Sequence, residues 1–131
     1  MATQKNYRNN GAEFIKKAST AFEIGYLCTV DSNGFLVPGG AGKIVGVSNE
    51  KITSADADYA VARPLNVSAG DSETTFIFPV ATGTATQTIV GEYVDIDGTD
   101  FTAVDVTAST NDQVFVTKFI NATTVEGKLV A

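Results

Sequence analysis

The strongest constraint on this chain is the way its apolar residues are parcelled out. Beyond residue 24 they come in short runs: Gly25 to Val30, Phe35 to Val37, Lys43 to Ser48, Tyr59 to Val67 and Phe76 to Val80. Gly83 to Val90, Glu92 to Ile96, Phe101 to Val106, Gln113 to Ile120 and Thr123 to Val130 continue the series. Gly, Asp, Asn and Ser fill the gaps. Runs this short cannot supply the turns that a stable packed helix needs. Their Val, Ile, Thr and Phe content instead suits a pleated, half-buried surface. Many short strands at this spacing predict a small, mainly β domain, a barrel or a sandwich of short antiparallel strands.

The punctuation has its own chemistry. Asp31-Ser32-Asn33-Gly34 reads as a turn, and Asp97-Gly98 between two apolar runs reads as a hairpin. Pro38 removes a ladder donor and ends its strand, and Arg63-Pro64 marks an edge or a bulge. Ser48 to Ala62 is the least strand-like stretch and has room for a helical turn around Ser54-Ala55-Asp56. No repeat stands out when the two halves of the sequence are laid side by side.

Residues 1–21 differ from the rest. Phe14, Ile15, Ala18, Ala21 and Phe22 fall near helical spacing, so this segment reads either as a short helix or as an arm that orders on a partner. It is also basic. Residues 1–17 carry Lys5, Arg8, Lys16 and Lys17 against Glu13, or 4 − 1 = +3, so the total of −6 leaves −9 for the remainder. The division expected is a basic N-terminal arm, 1–21, followed by one β domain, 22–131. Lys5, Tyr7, Arg8, Phe14, Lys16 and Lys17 are the arm residues expected to meet an acidic partner surface. The acidic body does not suit nucleic acid as the main partner. No apolar stretch has the length of a membrane span or of a secretory leader, so synthesis in a cytoplasm is expected.

Catalytic signals do not accumulate. The glycine-rich stretch Val37-Pro38-Gly39-Gly40-Ala41-Gly42-Lys43-Ile44-Val45-Gly46 contains the Gly-Lys pair of a phosphate loop. Its leading glycine is replaced by Val37, and Ile44 stands where a hydroxyl should reach the metal. A bend between strands is the better reading. Asp95, Asp97 and Asp100 are weak metal candidates: three carboxylates lie close in sequence, but Gly98 comes too early for a calcium loop and Val104 occupies the position of its closing glutamate. Asp56 and Asp58 read as solvated surface. Cys28 is the one cysteine and sits in an apolar run, and the chain has no His to activate a nucleophile. Trp, the usual sugar platform, is absent. Phe76, Phe78, Phe115 and Phe119 are expected in the core, while the tyrosines suit interface positions.

The order of phrases carries a resemblance. Gly25-Tyr26-Leu27-Cys28-Thr29-Val30-Asp31-Ser32-Asn33-Gly34-Phe35-Leu36-Val37-Pro38 is followed by Lys43-Ile44-Val45-Gly46-Val47. Then come Phe76-Ile77-Phe78-Pro79-Val80-Ala81-Thr82-Gly83-Thr84-Ala85 and Ile89-Val90-Gly91-Glu92-Tyr93-Val94-Asp95-Ile96. Over about residues 22–130 this resembles the small β-barrel decoration, or cement, proteins of tailed-bacteriophage capsids. The resemblance implies a virion structural protein without enzymatic activity or cofactor. Its partner would be the major capsid protein of a phage head, with the chain bound outside the shell, often as a trimer. In the lambda-type members an N-terminal arm adds to sheet edges of the capsid protein, the role the basic arm would take here. Two other readings stand beside it: a tail, baseplate or self-assembling lattice subunit, and an extracellular calcium- or glycan-binding β module.

Overall fold

A computed structural model describes residues 11–52, 63–68 and 74–130. The protein is mainly β, as the sequence predicts. Ten strands run in chain order: β1 Gly11–Lys16, β2 Leu27–Val30, β3 Leu36–Pro38, β4 Gly46–Ser48, β5 Arg63–Ser68, β6 Phe76–Thr82, β7 Tyr93–Ile96, β8 Val104–Asp105, β9 Val114–Asn121 and β10 Thr124–Leu129. They form two rings of five, β1-β3-β2-β4-β5 and β6-β8-β7-β9-β10, each closed by pairing its last strand with its first. In the second ring β6, β10, β9 and β7 make one long curled sheet, and the two-residue β8 bridges its free edges. Closure removes the open strand edges that invite aggregation.

The two rings are copies of one design. In each, the first strand pairs parallel with the third, and every other contact is antiparallel. The registers coincide residue by residue. Leu27↔Val47 and Cys28↔Gly46 correspond to Tyr93↔Phe115 and Val94↔Val114. Val30↔Leu36 corresponds to Ile96↔Val104, and Val47↔Ser68 to Phe115↔Lys128. Bonds outside the ladders agree as well. Gly25 N–H donates to Ser48 O at 2.9 Å and Gly91 N–H to Val116 O at 2.8 Å. Both glycines enter their strands at positive φ, +93° and +89°, a geometry that a Cβ disfavours. Asp31 N–H donates to Phe35 O, and Asp97 N–H to Ala103 O, both at 2.9 Å. The fold is an internal duplication, which the reading of the sequence did not find.

Four local expectations give way. Gly11–Lys16 is a strand rather than a helix, held between β5 and β3, so from Gly11 onward the expected arm is part of the first ring. Gly83 to Val90 is not a strand; it holds a single 3-10 turn, Gln87–Ile89. Its alternation fits a strand, but the segment joins β6 to β7 outside the ladders. Phe101 to Val106 shortens to β8, and the Asp97 hairpin has a wide loop, residues 97–103, rather than a two-residue turn. The helical turn expected near Ser54-Ala55-Asp56 lies outside the described residues.

One core fills the first ring: Phe22, Cys28, Leu36, Ile52 and Val67. The other joins the rings. It includes Phe78, Val94, Val104, Val114, Val116 and Val125 from the second, with Leu27 and Ile44 from the first. Of the phenylalanines expected in the core, Phe78 belongs to this cluster and Phe76 and Phe119 pack against it, whereas Phe115 lies on the other face of β9, between buried Val114 and Val116, and stacks on the exposed Tyr93.

Candidate functional site

The acidic residues singled out as metal candidates are used in turns. Asp97 is 3% exposed. Its Oδ1 accepts from the Thr82 hydroxyl at 2.5 Å, and its Oδ2 accepts from Thr99 N–H at 3.1 Å, Thr99 Oγ1 at 3.1 Å and Asp100 N–H at 3.0 Å. These donors favour the charged carboxylate, the Thr82 hydroxyl most of all, and hold its pKa down at about 2. Asp95, buried, accepts Asn111 N–H on both oxygens. Asp100 takes the N–H and hydroxyl of Thr102, and Asp105 takes those of Thr107. An Asp followed two residues later by Thr is a self-closing turn, with the carboxylate satisfied by its own loop. Among the described residues no group of three or more acidic or Cys side chains converges on a common point.

The glycine-rich loop joins β3 to β4, and its carbonyls are what matter. Gln113, fully buried, donates from Nε2 to Gly40 O at 2.8 Å and to Gly42 O at 2.6 Å. Its Oε1 accepts Ile96 N–H at 2.9 Å. One side chain thus fastens the first ring to the second. Gly39, at φ +67°, lies directly beneath the Phe101 ring. Phe101 in turn meets Tyr26 edge-on, with ring centroids 5.5 Å apart, and gives its carbonyl to Leu27 N–H at 2.8 Å. Nothing in a single sequence marks Gln113, because its side-chain partners are backbone atoms, 17 residues away for Ile96 and 73 and 71 for Gly40 and Gly42.

Of the expected arm residues, Lys5, Tyr7 and Arg8 lie outside the described residues. Phe14 is half-buried and packs on the core of the first ring. Lys16 is turned inward, 0% exposed, with Nζ donating to the carbonyls of Lys17 at 2.9 Å and Thr20 at 3.2 Å. Only Lys17 of these three keeps an exposed side chain. Cys28 is buried, which pushes its thiol up to about 12 against a smaller opposing pull from a backbone hydrogen bond with Ser48. Asp56 and Asp58 lie outside the described residues.

What the surface does offer is apolar. Ile77 (65% exposed) and Ile24 (66%) stand out, with Ile15, Tyr93, Ile120 and Val90 less exposed. Ile77 and Pro79 point outward from β6, opposite the buried Phe78. Thr124, the register partner of Pro79, neighbours the end of β9 where Ile120 is exposed. Ile77 and Pro79 share the outer face of β6, where the row of Ile77 continues to Glu126 and Lys118, and Ile120 lies at the bulge of β9 beside Thr124. Ile15 holds the place in β1 that Pro79 holds in β6. No protein-family model matches the chain, and no curated protein matches it.

Proposed function

We propose that this protein is a non-enzymatic virion component that binds the outer surface of a phage capsid, contacts its major capsid protein and stabilises the shell. The observation that carries the reading is the exposure of the large apolar side chains Ile77 and Ile120, with Pro79, on the second ring of a closed barrel whose described Asp residues mostly serve its own turns. Large apolar side chains left this exposed are what protein contact surfaces use. Each contact of this size is weak, and many copies on a lattice raise it by avidity. A closed, turn-locked barrel loses little conformational entropy on docking. The phrase order of the sequence supports the same reading.

The test is co-sedimentation of the purified protein with expanded tailed-phage heads stripped of their decoration. Saturable binding at a fixed number of copies per head, lost in Ile77→Lys, is the expected result. No binding, or binding unchanged by Ile77→Lys, overturns it.

A further inference from the structure

Two equivalent turns, one in each ring, differ in a way that matters chemically. Each opens on an aspartate at the same register position, Asp31 after β2 and Asp97 after β7, and each contains a glycine. In the second ring the residue before that glycine is Asp97 itself. It is 3% exposed, and its two oxygens are engaged by Thr82, Thr99 and Asp100, which keep it ionised. In the first ring the residue before the glycine is Asn33, which is exposed. Among the described residues none holds its side-chain amide.

An asparagine followed by glycine is open to attack from its own backbone, because glycine has no Cβ to keep its nitrogen away from the preceding carboxamide. Gly34 sits at φ +85°, and a Cβ placed there would meet nothing within 4 Å. Asn33 is alone in this among the described asparagines: Asn49, Asn66, Asn111 and Asn121 precede Glu, Val, Asp and Ala. What opposes the attack is the cap on the turn. Asp31 Oδ1 accepts the N–H groups of Asn33 and Phe35, both at 2.9 Å, and Asp31 O accepts that of Gly34 at 3.1 Å. The Gly34 nitrogen must leave its bond before it can react. Ser32, Asn33 and Gly34 are all exposed, so water replaces these bonds when the turn opens, and a surface turn opens far more readily than the core.

We propose that Asn33 is a site of spontaneous deamidation in the folded protein, gated by the Asp31 cap. Local opening of the turn frees the Gly34 nitrogen, which gives up its proton to solvent and attacks Asn33 Cγ. A new C–N bond closes a five-membered imide, the carboxamide C–N bond breaks, and its nitrogen leaves as ammonia. Water then opens the imide at either carbonyl. One opening leaves aspartate at position 33; the other leaves isoaspartate, with the main chain rerouted through the side chain and longer by a methylene. Only water is consumed. Either product adds a negative charge to a chain already at −6, beside Asp31. Isoaspartate also shifts the N–H groups that Asp31 caps, so the modified turn does not close as before. The Asp97-Gly98 pair is spared, because an aspartate closes the same imide only as its neutral acid, and the bonds to Asp97 favour the carboxylate. The reaction is independent of what the protein binds.

The experiment incubates the full-length protein at pH 8, folded and in denaturant, and follows each asparagine by peptide mass spectrometry. The digest separates position 33 from Asn10, which also precedes a glycine. Acid and isoaspartate are expected to accumulate at position 33 of the folded protein, while Asn111 and Asn121 keep their amides. Opening three surface hydrogen bonds slows the folded protein by no more than about a thousandfold relative to denaturant. Asp31→Ala, with its fold confirmed by circular dichroism, removes two of those bonds and speeds the reaction by about fivefold or more. A folded rate slower than that thousandfold limit means that only global unfolding exposes the site, and overturns the proposal. So does a folded Asp31→Ala variant that reacts no faster than wild type, or isoaspartate that forms at Asp97 before it forms at position 33.

Discussion

Replacing Gln113 tests the account of how the two rings are joined. Its three hydrogen bonds satisfy one buried donor, Ile96 N–H, and two carbonyls, those of Gly40 and Gly42. In Gln113→Leu the Ile96 N–H is left unpaired in the core, at a cost of about 1–3 kcal/mol. The two glycines are exposed, so their carbonyls regain water, and each lost bond costs only about 0.5–1.5 kcal/mol. The sum is about 2–6 kcal/mol, or a fall in Tm of about 8–24 °C for a chain of this size. Gln113→Glu keeps the shape and the Ile96 bond but points a carboxylate at two carbonyl oxygens. Its folded-state pKa must then lie above the unfolded value near 4.3. The penalty is therefore fully present above the folded pKa and fades as pH falls towards 4. Thermal unfolding of wild type and both variants at pH 7.5 and pH 4.5 measures all of this. If Gln113→Glu melts within about 2 °C of wild type at pH 7.5, a shift within the scatter for a neutral surface change, the ring-to-ring bond is not what the geometry says.

Asp97 has a folded pKa of about 2, lowered from 3.8, so its contribution to stability is complete above about pH 4 and is lost as pH falls towards 2. Urea midpoints should drop across that window in wild type and change less in Asp97→Asn; parallel curves for the two would disprove the assignment. Gly39→Ala combines a strained φ of +67° with a Cβ 2.5 Å from the Phe101 ring, and should cost ~2–4 kcal/mol in denaturant unfolding, far more than Gly98→Ala, whose Cβ meets open space. Cys28, buried with its thiol raised to about 12, should resist iodoacetamide at pH 8 in the folded protein and react on addition of denaturant; rapid labelling of the native state would contradict that burial.

Local chemistry was legible from the sequence wherever a residue acts on its neighbours. Asp31 caps the turn its sequence announces, accepting the N–H groups of Asn33 and Phe35, and the glycine-rich loop is a bend because Gly39 and Gly40 both adopt positive φ. The strand content follows from β-branched runs, and the in-and-out pattern of Phe76 to Val80 matches its burial. Where the local signal was ambiguous, pairing decided. Phe14, Ile15, Ala18, Ala21 and Phe22 keep helical spacing on paper, yet Gly11–Lys16 is a strand because β5 and β3 flank it. Gly83 to Val90 alternates like a strand and is not one: it runs outside the ladders and holds a single 3-10 turn.

The sequence by itself determined the secondary-structure class, most of the turns and the burial of Cys28, because these depend on side-chain shape and on bonds a few residues long. The duplication was decided only in three dimensions. Phe14 and Phe78, Gly25 and Gly91, and Asp31 and Asp97 hold equivalent places in the two rings, but Leu27 matches Tyr93, Ile44 matches Asp112 and Ser48 matches Val116. A ring is specified by backbone register, and backbone hydrogen bonds are the same whichever side chains flank them. The Leu27-to-Tyr93 difference is where the two rings part: Leu27 is buried against the second ring, whereas Tyr93 is exposed and stacks on Phe115.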